Sequence, residues 1–271
     1  MGVGIPQVIT ETKASGAQVI DGSLKFDKAK TQYLKKTIST TGNQKTFTVS
    51  AWFKKCLDGT AQYLFTTEYL GSGNYFELTM LSGRTLQVYN NKSTAVNVKL
   101  SRLLRDNGWF HVTVAVDTTI ASPTQDRVKI YVNGERQTEF DSSGGGDAFP
   151  AQDYTFELSN SRDWLIGTAE FSGSISDSSY DGHMSQFYFI DGQALDASYF
   201  GFTDGLTNTW RPKKYTGTFG TNGFYLPMDG NSPIGEDKSG QGNNWTLVNF
   251  GGSLELDNPN VSGARPILNT T

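Results

Sequence analysis

The nearest approach to an acid/base pair in this chain is Glu139-Phe140-Asp141. Carboxylates two residues apart on an extended strand point to the same side, as a hydrolytic pair would require. The residues that follow, Ser142-Ser143-Gly144, put that pair at the lip of a glycine-rich loop, which is poor support for groups that must be held in place. His111 and His183 are the only histidines. His111 stands in an alternating run and reads as a hydrogen-bonded ring within a sheet, whereas His183 follows the Asp181-Gly182 turn and reads as a strand start. No Gly-x-Ser-x-Gly elbow, Gly-x-x-x-x-Gly-Lys-[Ser/Thr] loop or His-Glu-x-x-His pair occurs, so nucleophile, nucleotide and zinc chemistry have no support. No residue is assigned a catalytic role, and the chain is expected not to be an enzyme.

Adhesive chemistry is better represented. Sugars lay their apolar faces on aromatic rings while their hydroxyls bond to Asn, Asp and backbone groups. Trp52, Trp109, Tyr131 and Tyr188 share the polar parity of their strands and form the candidate carbohydrate platform. The competing reading is that loops and the C-terminal segment cover these rings, making them a second layer of core.

The elements that must carry these residues are strands. In Trp109 to Arg136, Phe110, Val112, Val114 and Val116 alternate with Trp109, His111, Thr113 and Ala115. Val128, Ile130 and Val132 then alternate with Lys129, Tyr131 and Asn133 before Asn133-Gly134. Period two describes a sheet covering a core on one face, and Asn-Gly suits the positive φ of a tight turn. Further strands are expected at 24–26, 46–54, 63–67, 75–81, 85–90, 94–100, 164–167, 183–190 and 223–227, with turns at Asp58-Gly59, Ser82-Gly83 and Asp191-Gly192. No amphipathic helix of 10–15 residues separates them, so a sandwich is expected rather than βαβ units. The only helix expected is one or two turns at 196–200, capped by Asp196. The stretches 142–147 and 172–180 read as exposed loops.

The hairpin pattern W-[FY]-H-[VI]-x-[VL]-x-x-D followed by R-V-x-[IL]-Y-V-N-G resembles laminin-G-like, concanavalin-A-like jelly rolls. It is especially similar to a version found in structural proteins of tailed marine bacteriophages. Leu24, Phe26, Asp27, Tyr33 and Leu34 supply an early motif of that version, and Gly42 to Lys55 a second; three closing motifs run from Tyr180 to Gly201, Trp210 to Leu226 and Asp237 to Phe250. The resemblance implies an all-β jelly-roll sandwich of two antiparallel sheets. It also implies a virion protein (fibre, tail-associated or head-decorating) for assembly and host-surface contact, with a free carbohydrate-binding module as the alternative and a polysaccharide hydrolase ranked below both. The glucan-hydrolysing branch of the fold carries E-x-D-x-x-E, and the second glutamate is missing after Glu139 and Asp141. No metal or other cofactor is assigned; laminin-G relatives hold calcium at strand ends, which makes Asp117, Asp126, Asp177 and Asp181 weak calcium candidates.

The 271 residues are 36% hydrophobic and 13% aromatic, enough for a large single core. A net charge of −4 provides no basic footprint for nucleic acid and no polybasic patch for a membrane. The single Cys56 excludes an intrachain disulfide. Neither a signal peptide nor an 18-residue apolar span is legible, so synthesis in a host cytoplasm and residence in the virion are expected. The expected organisation is an attachment arm at 1–22, the sandwich at 23–258 and a tail at 259–271. The partners expected are other virion proteins through the arm, further copies of the chain in a homo-oligomer, and host surface glycans.

Overall fold

A computed structural model describes residues 17–18, 20, 22–69, 73–158, 161–229 and 233–250. The first strands are β1 (Leu24–Phe26), β2 (Tyr33–Ile38), β3 (Thr46–Lys55), β4 (Gln62–Thr67), β5 (Tyr75–Met80), β6 (Thr85–Asn91) and β7 (Val96–Leu103). Then come β8 (Phe110–Asp117), β9 (Val128–Val132), β10 (Glu135–Gln137), β11 (Asp147–Ala148) and β12 (Arg162–Ile166). The last are β13 (Glu170–Phe171), β14 (Ser174–Ile175), β15 (Gly182–Asp191), β16 (Gly201–Thr203), β17 (Trp210–Pro212), β18 (Phe224–Leu226) and β19 (Thr246–Val248). Among the described residues the only helical pieces are short 3-10 turns, and no helix is long and apolar enough to cross a membrane.

Two antiparallel sheets form the sandwich. The first runs β1-β15-β3-β8-β9-β10, with β18 also paired to β15; the second runs β11-β7-β6-β5-β4-β12-β2-β19. Strand parity sets what lies between them. Val114 stands opposite Val49 on β3 and Ile130 on β9, so alternate apolar positions of neighbouring strands meet on one face. From the facing sheet come Leu34, Phe65, Phe76, Leu78, Val88 and Trp164. Aromatic rings cross the interface, Trp164 lying 4.8 Å from Phe189 and Phe65 5.9 Å from Phe187. Such offset and edge-on pairs add to the burial of their area. At the end of β9, Asn133 (φ 49) and Gly134 (φ 81) both take the left-handed conformation that a two-residue hairpin turn requires.

Several expectations shift. The strand β2 was visible only as a Tyr-Leu motif, because Lys35 and Lys36 interrupt its apolar alternation. In the fold, Asp163 holds the Lys35 ammonium at 2.5 Å and Leu34 and Ile38 still reach the core. The stretch 172–180, read as an exposed loop, ends on Ser179 and Tyr180, both buried, with the Tyr180 ring set edge-on to Phe26 at 5.9 Å. The expected turn at 196–200 is a 3-10 turn at Ala197–Tyr199, capped as anticipated by Asp196 accepting from the Ser198 N–H. The end of the expected arm is docked on the sandwich. Ala17 and Ile20 are buried, and the Gln18 N–H donates to the Pro212 carbonyl at 3.0 Å. Residues 1–16 of that arm and the expected tail at 259–271 lie outside the described residues, as does the expected sandwich boundary at 258.

Candidate ligand-binding face

The outward face of the first sheet is not open. Tyr188 is 2% exposed, with Tyr225 stacked 4.3 Å away and Phe200 and Phe219 on its other sides. Phe200 and Phe219 belong to the segment after β15, which folds back across the sheet, and Tyr225 is the cross-strand neighbour on β18. Trp52 is 6% exposed and packs against Ile20, beside the His111 ring at 5.1 Å. Trp210 lies on this face too, so close to Gly134 and Gly201 that a Cβ at either position would overlap its ring. Trp52 and Tyr188 therefore have no face for a sugar and belong to a second core layer. Trp109 and Tyr131 remain partly exposed. The four rings expected to form one platform are thus not brought together at the surface. Parity puts the four on one side of the first sheet, but the segments covering that side come from both distant ends of the chain.

The acidic candidates are dispersed as well. Glu139 is exposed, while Asp141 pairs with Lys99 at 2.9 Å. That contact and bonding from Ser143 hold its carboxyl down at about 2, leaving it without a proton to donate near neutrality. Asp117 accepts from the Thr119 N–H and hydroxyl, and Asp126 is paired with Arg136. Asp177 and Asp181 share an open cleft of about 630 Å³ with Lys28, Thr31 and Ser176. Asp117 faces Thr46 and Asp181 adjoins Gly182, which faces Lys55, so these two carboxylates stand at opposite ends of β3. Among the described residues no three acidic, imidazole or thiol groups converge on one point.

The second sheet carries the aromatic face that the first does not. Tyr63 on β4, Tyr69 just beyond it, Tyr75 on β5 and Tyr89 on β6 are all partly exposed on its outward side. Tyr75 lies 5.4 Å from Tyr69 and 5.9 Å from Tyr89. Phe171, from the β13–β14 hairpin, closes one side of the group at 6.0 Å from Tyr63, 5.8 Å from Tyr69 and 5.9 Å from Tyr75. A break in the β4–β5 register between Tyr63 and Phe65 explains how Tyr63 and Thr66, of opposite parity, both face outward. The hairpin is fixed over the sheet by the Tyr69 N–H donating to the Glu170 carbonyl at 3.0 Å and by Lys35 pairing with the Glu170 side chain at 3.5 Å. Polar groups border the rings. The Gln87 amide donates to the Asn97 side-chain oxygen at 2.6 Å, and the Asn91 amide donates to the Gly73 carbonyl.

Glu77 sits at the foot of this group, opposite Thr66 on β4 and Tyr89 on β6. Its residue is 8% exposed, and it has neither a hydrogen bond nor an ion pair among the described residues. Burial pushes its carboxyl up to about 7, because desolvation penalises the charged form. Burial and the adjacent carboxylate in turn push the Tyr63 hydroxyl to about 12 and that of Tyr75 higher still. The tyrosines thus stay neutral and present flat rings and hydroxyl groups to solvent. The sequence signal for this face was the alternation Tyr75-x-Glu77-x-Thr79 against Gln87-x-Tyr89-x-Asn91, which placed two tyrosines among polar outward positions.

A sandwich of two antiparallel sheets, with one outer face clad by chain and the other, among the described residues, left partly exposed and ringed by tyrosines, is a lectin-type jelly roll. The chain belongs to the concanavalin A-like lectin/glucanases superfamily, whose family model matches residues 28–197. Residues beyond 197, including Trp210, Tyr215, Phe219 and Tyr225, lie outside that match. Among solved structures, one from Bacteroides ovatus, provisionally described as a carbohydrate-binding protein, superposes with a TM-score of 0.53 at 18% identity over 85% of this chain. The match spans only 58% of that longer chain. Domains LG4-5 of the mouse laminin α1 chain match with a TM-score of 0.46 at 13% identity, over 74% of this chain and 46% of that one. The CBM40 of a Ruminococcus gnavus IT-sialidase gives 0.45 at 11% identity, over 65% and 93% respectively. At these identities the likeness is one of fold. No curated protein sequence matches the chain.

Proposed function

We propose that this domain binds oligosaccharides on the tyrosine face of the second sheet. The observation carrying this reading is the group of Tyr63, Tyr69, Tyr75, Tyr89 and Phe171, partly exposed rings whose successive centroids are 5.4 to 6.0 Å apart. Rings so spaced offer a continuous apolar surface on which pyranose faces can lie, and the polar border supplies partners for hydroxyls. The family to which the chain belongs supports the same reading. The domain acts by binding rather than by hydrolysis, since Glu139 and Asp141 form no positioned pair, Glu139 being exposed and Asp141 paired with Lys99.

In the finer reading, the domain is the surface-contact part of a tailed-phage virion protein. This rests on the three closing motifs between Tyr180 and Phe250, of which the first builds strand β15, the second the cover over the first sheet together with β18, and the third the edge strand β19 of the second sheet. The cover blocks one face and leaves the second sheet as the face turned to host glycans. Residues 1–16 then serve attachment to other virion proteins or to further copies of the chain. Detection of the chain by mass spectrometry in purified particles tests the virion assignment, and its absence from them overturns that part.

The binding assignment is tested by glycan-array screening and calorimetry on the full chain. Tyr75→Ala and Tyr89→Ala should each weaken binding at least tenfold, while Tyr131→Ala on the first sheet should leave it unchanged. Absence of any glycan binding, or dependence on Tyr131 instead, overturns the reading.

A further inference from the structure

We propose that the tyrosine face selects sugars bearing a free amino group, with Glu77 as the counter-ion of the bound ammonium. The inference rests on the oligosaccharide-binding reading above and names the ligand class within it.

Glu77 is a carboxylate withdrawn from water, and no cation among the described residues meets it. A charged group in such a place is normally paired or hydrogen-bonded, because an unpaired one forfeits its hydration without return. Its strand and both neighbours offer nothing positive. β4 reads Gln-Tyr-Leu-Phe-Thr-Thr, β5 Tyr-Phe-Glu-Leu-Thr-Met and β6 Thr-Leu-Gln-Val-Tyr-Asn-Asn. Glu77 is thus the one ionisable group on these three strands apart from tyrosine hydroxyls. Lysines along the sheet are committed elsewhere: Lys92, just beyond β6, pairs with Glu157 at 3.1 Å, Lys99, opposite Gln87, pairs with Asp141 at 2.9 Å, and Lys35 pairs with Asp163 at 2.5 Å and Glu170 at 3.5 Å. The residues between Tyr69 and Gly73 are Leu70, Gly71 and Ser72, none of which is ionisable.

The surroundings suit a cation from outside. Tyr75 and Tyr89 are neighbours on the same face, Tyr89 directly across the ladder from Glu77, and Tyr63 and Tyr69 complete the group. The negative faces of aromatic rings attract an ammonium, and the attraction grows as water is excluded. Rings with an unpaired carboxylate at their foot therefore favour a ligand that is apolar on its face and positive at one substituent. A 2-amino-2-deoxy sugar meets both requirements. Its N-acetylated counterpart has the same ring without the charge, and a neutral glucose oligomer lacks the nitrogen altogether.

The test is calorimetric titration of the full chain at pH 7 with β-1,4-linked glucosamine oligomers, the N-acetylglucosamine oligomers of equal length and cello-oligosaccharides, repeated with Glu77→Gln and Tyr75→Ala. The wild type should prefer the free-amine oligomer at least tenfold. Glu77→Gln, near in shape and shown folded by its melting curve, should lose that preference while still binding the acetylated oligomer. The preference should also be bell-shaped in pH around neutrality, lost below as Glu77 takes a proton and above as the sugar amine releases one. Binding of all three sugars without preference, a preference that survives Glu77→Gln, or equal loss of every ligand in that variant overturns the inference and leaves the binding reading standing. Failure of all three sugars to bind overturns the inference alone, whereas binding unaffected by Tyr75→Ala removes both.

Discussion

The indole N–H of Trp210 donates to Nδ1 of His111 at 3.1 Å, tying the C-terminal cover to the middle of the first sheet across 99 positions of chain. The other ring nitrogen, Nε2, lies 2.8 Å from the Ser50 hydroxyl, which in turn contacts the Thr113 hydroxyl at 3.1 Å. Since Nδ1 accepts, the imidazole proton sits on Nε2 and is donated to Ser50. The ring is neutral, both nitrogens are used, and a role in proton transfer is closed to it.

Trp210→Phe should therefore destabilise the protein by about 1–3 kcal/mol, the cost of leaving a buried acceptor without its donor. Urea denaturation at pH 7 measures it. An unchanged midpoint would show that the cover is held by packing alone.

Val114→Asp should prevent stable folding. The residue is fully buried between Val49 and Ile130, and an unpaired carboxylate there costs several kcal/mol against a total of about 5–15. Lys129→Asp, outward and partly exposed on the next strand, should stay within about 0.5 kcal/mol of the wild type. Equal melting temperatures for the two variants would contradict the facing assignment.

Acid should weaken the fold before the carboxylates titrate. Burial lowers His111 to about 3, and burial together with Lys25 and Lys54 lowers His183 to about 4. Both imidazoles take protons more readily unfolded, so the stability they contribute is complete above about pH 6.5 and is lost as pH falls toward those values. Glu77 works in the opposite sense. Its raised value means that the folded chain binds the extra proton between about 4.5 and 7, so stability falls as pH rises through that window. The two histidines outweigh it, and the wild-type urea midpoint should drop between pH 6.5 and 4.5. Glu77→Gln should raise stability at pH 8 by on the order of 3 kcal/mol and make little difference at pH 4. A variant no more stable than the wild type at pH 8 would mean that the carboxylate is better solvated than its burial indicates.

Alternation made most of the sandwich legible, since Val112, Val114 and Val116 or Leu86 and Val88 announce which side of a strand faces the core. It could not tell which outer face stays open. Trp52 and Tyr188 stand at outward positions just as Tyr75 and Tyr89 do, and only the three-dimensional path of Ile20, Trp210, Tyr215 and Tyr225 separates the covered pair from the open one. Tyr63 was hidden for a different reason: the register break in β4 reverses its side relative to Thr66, and period counting cannot see such a break. Glu77 passed unnoticed because a glutamate at an outward strand position reads as ordinary solvated charge until the rings around it are placed.

The cladding of the first sheet also decides where this protein is free to vary. Positions such as Thr48, Ser50, His111 and Tyr188 are shut in on both sides, so an exchange there must be matched by another in the segment lying over it. On β4 and β5 the tie to a covering segment is narrower, Tyr63 and Tyr75 meeting Phe171 of the β13–β14 hairpin while remaining partly exposed. Exchange at the partly exposed Tyr63, Tyr75 and Tyr89 should therefore cost the fold less than exchange at Thr48, Ser50, His111 or Tyr188, so that one sheet bears most of the fold's constraint and the other has the wider latitude.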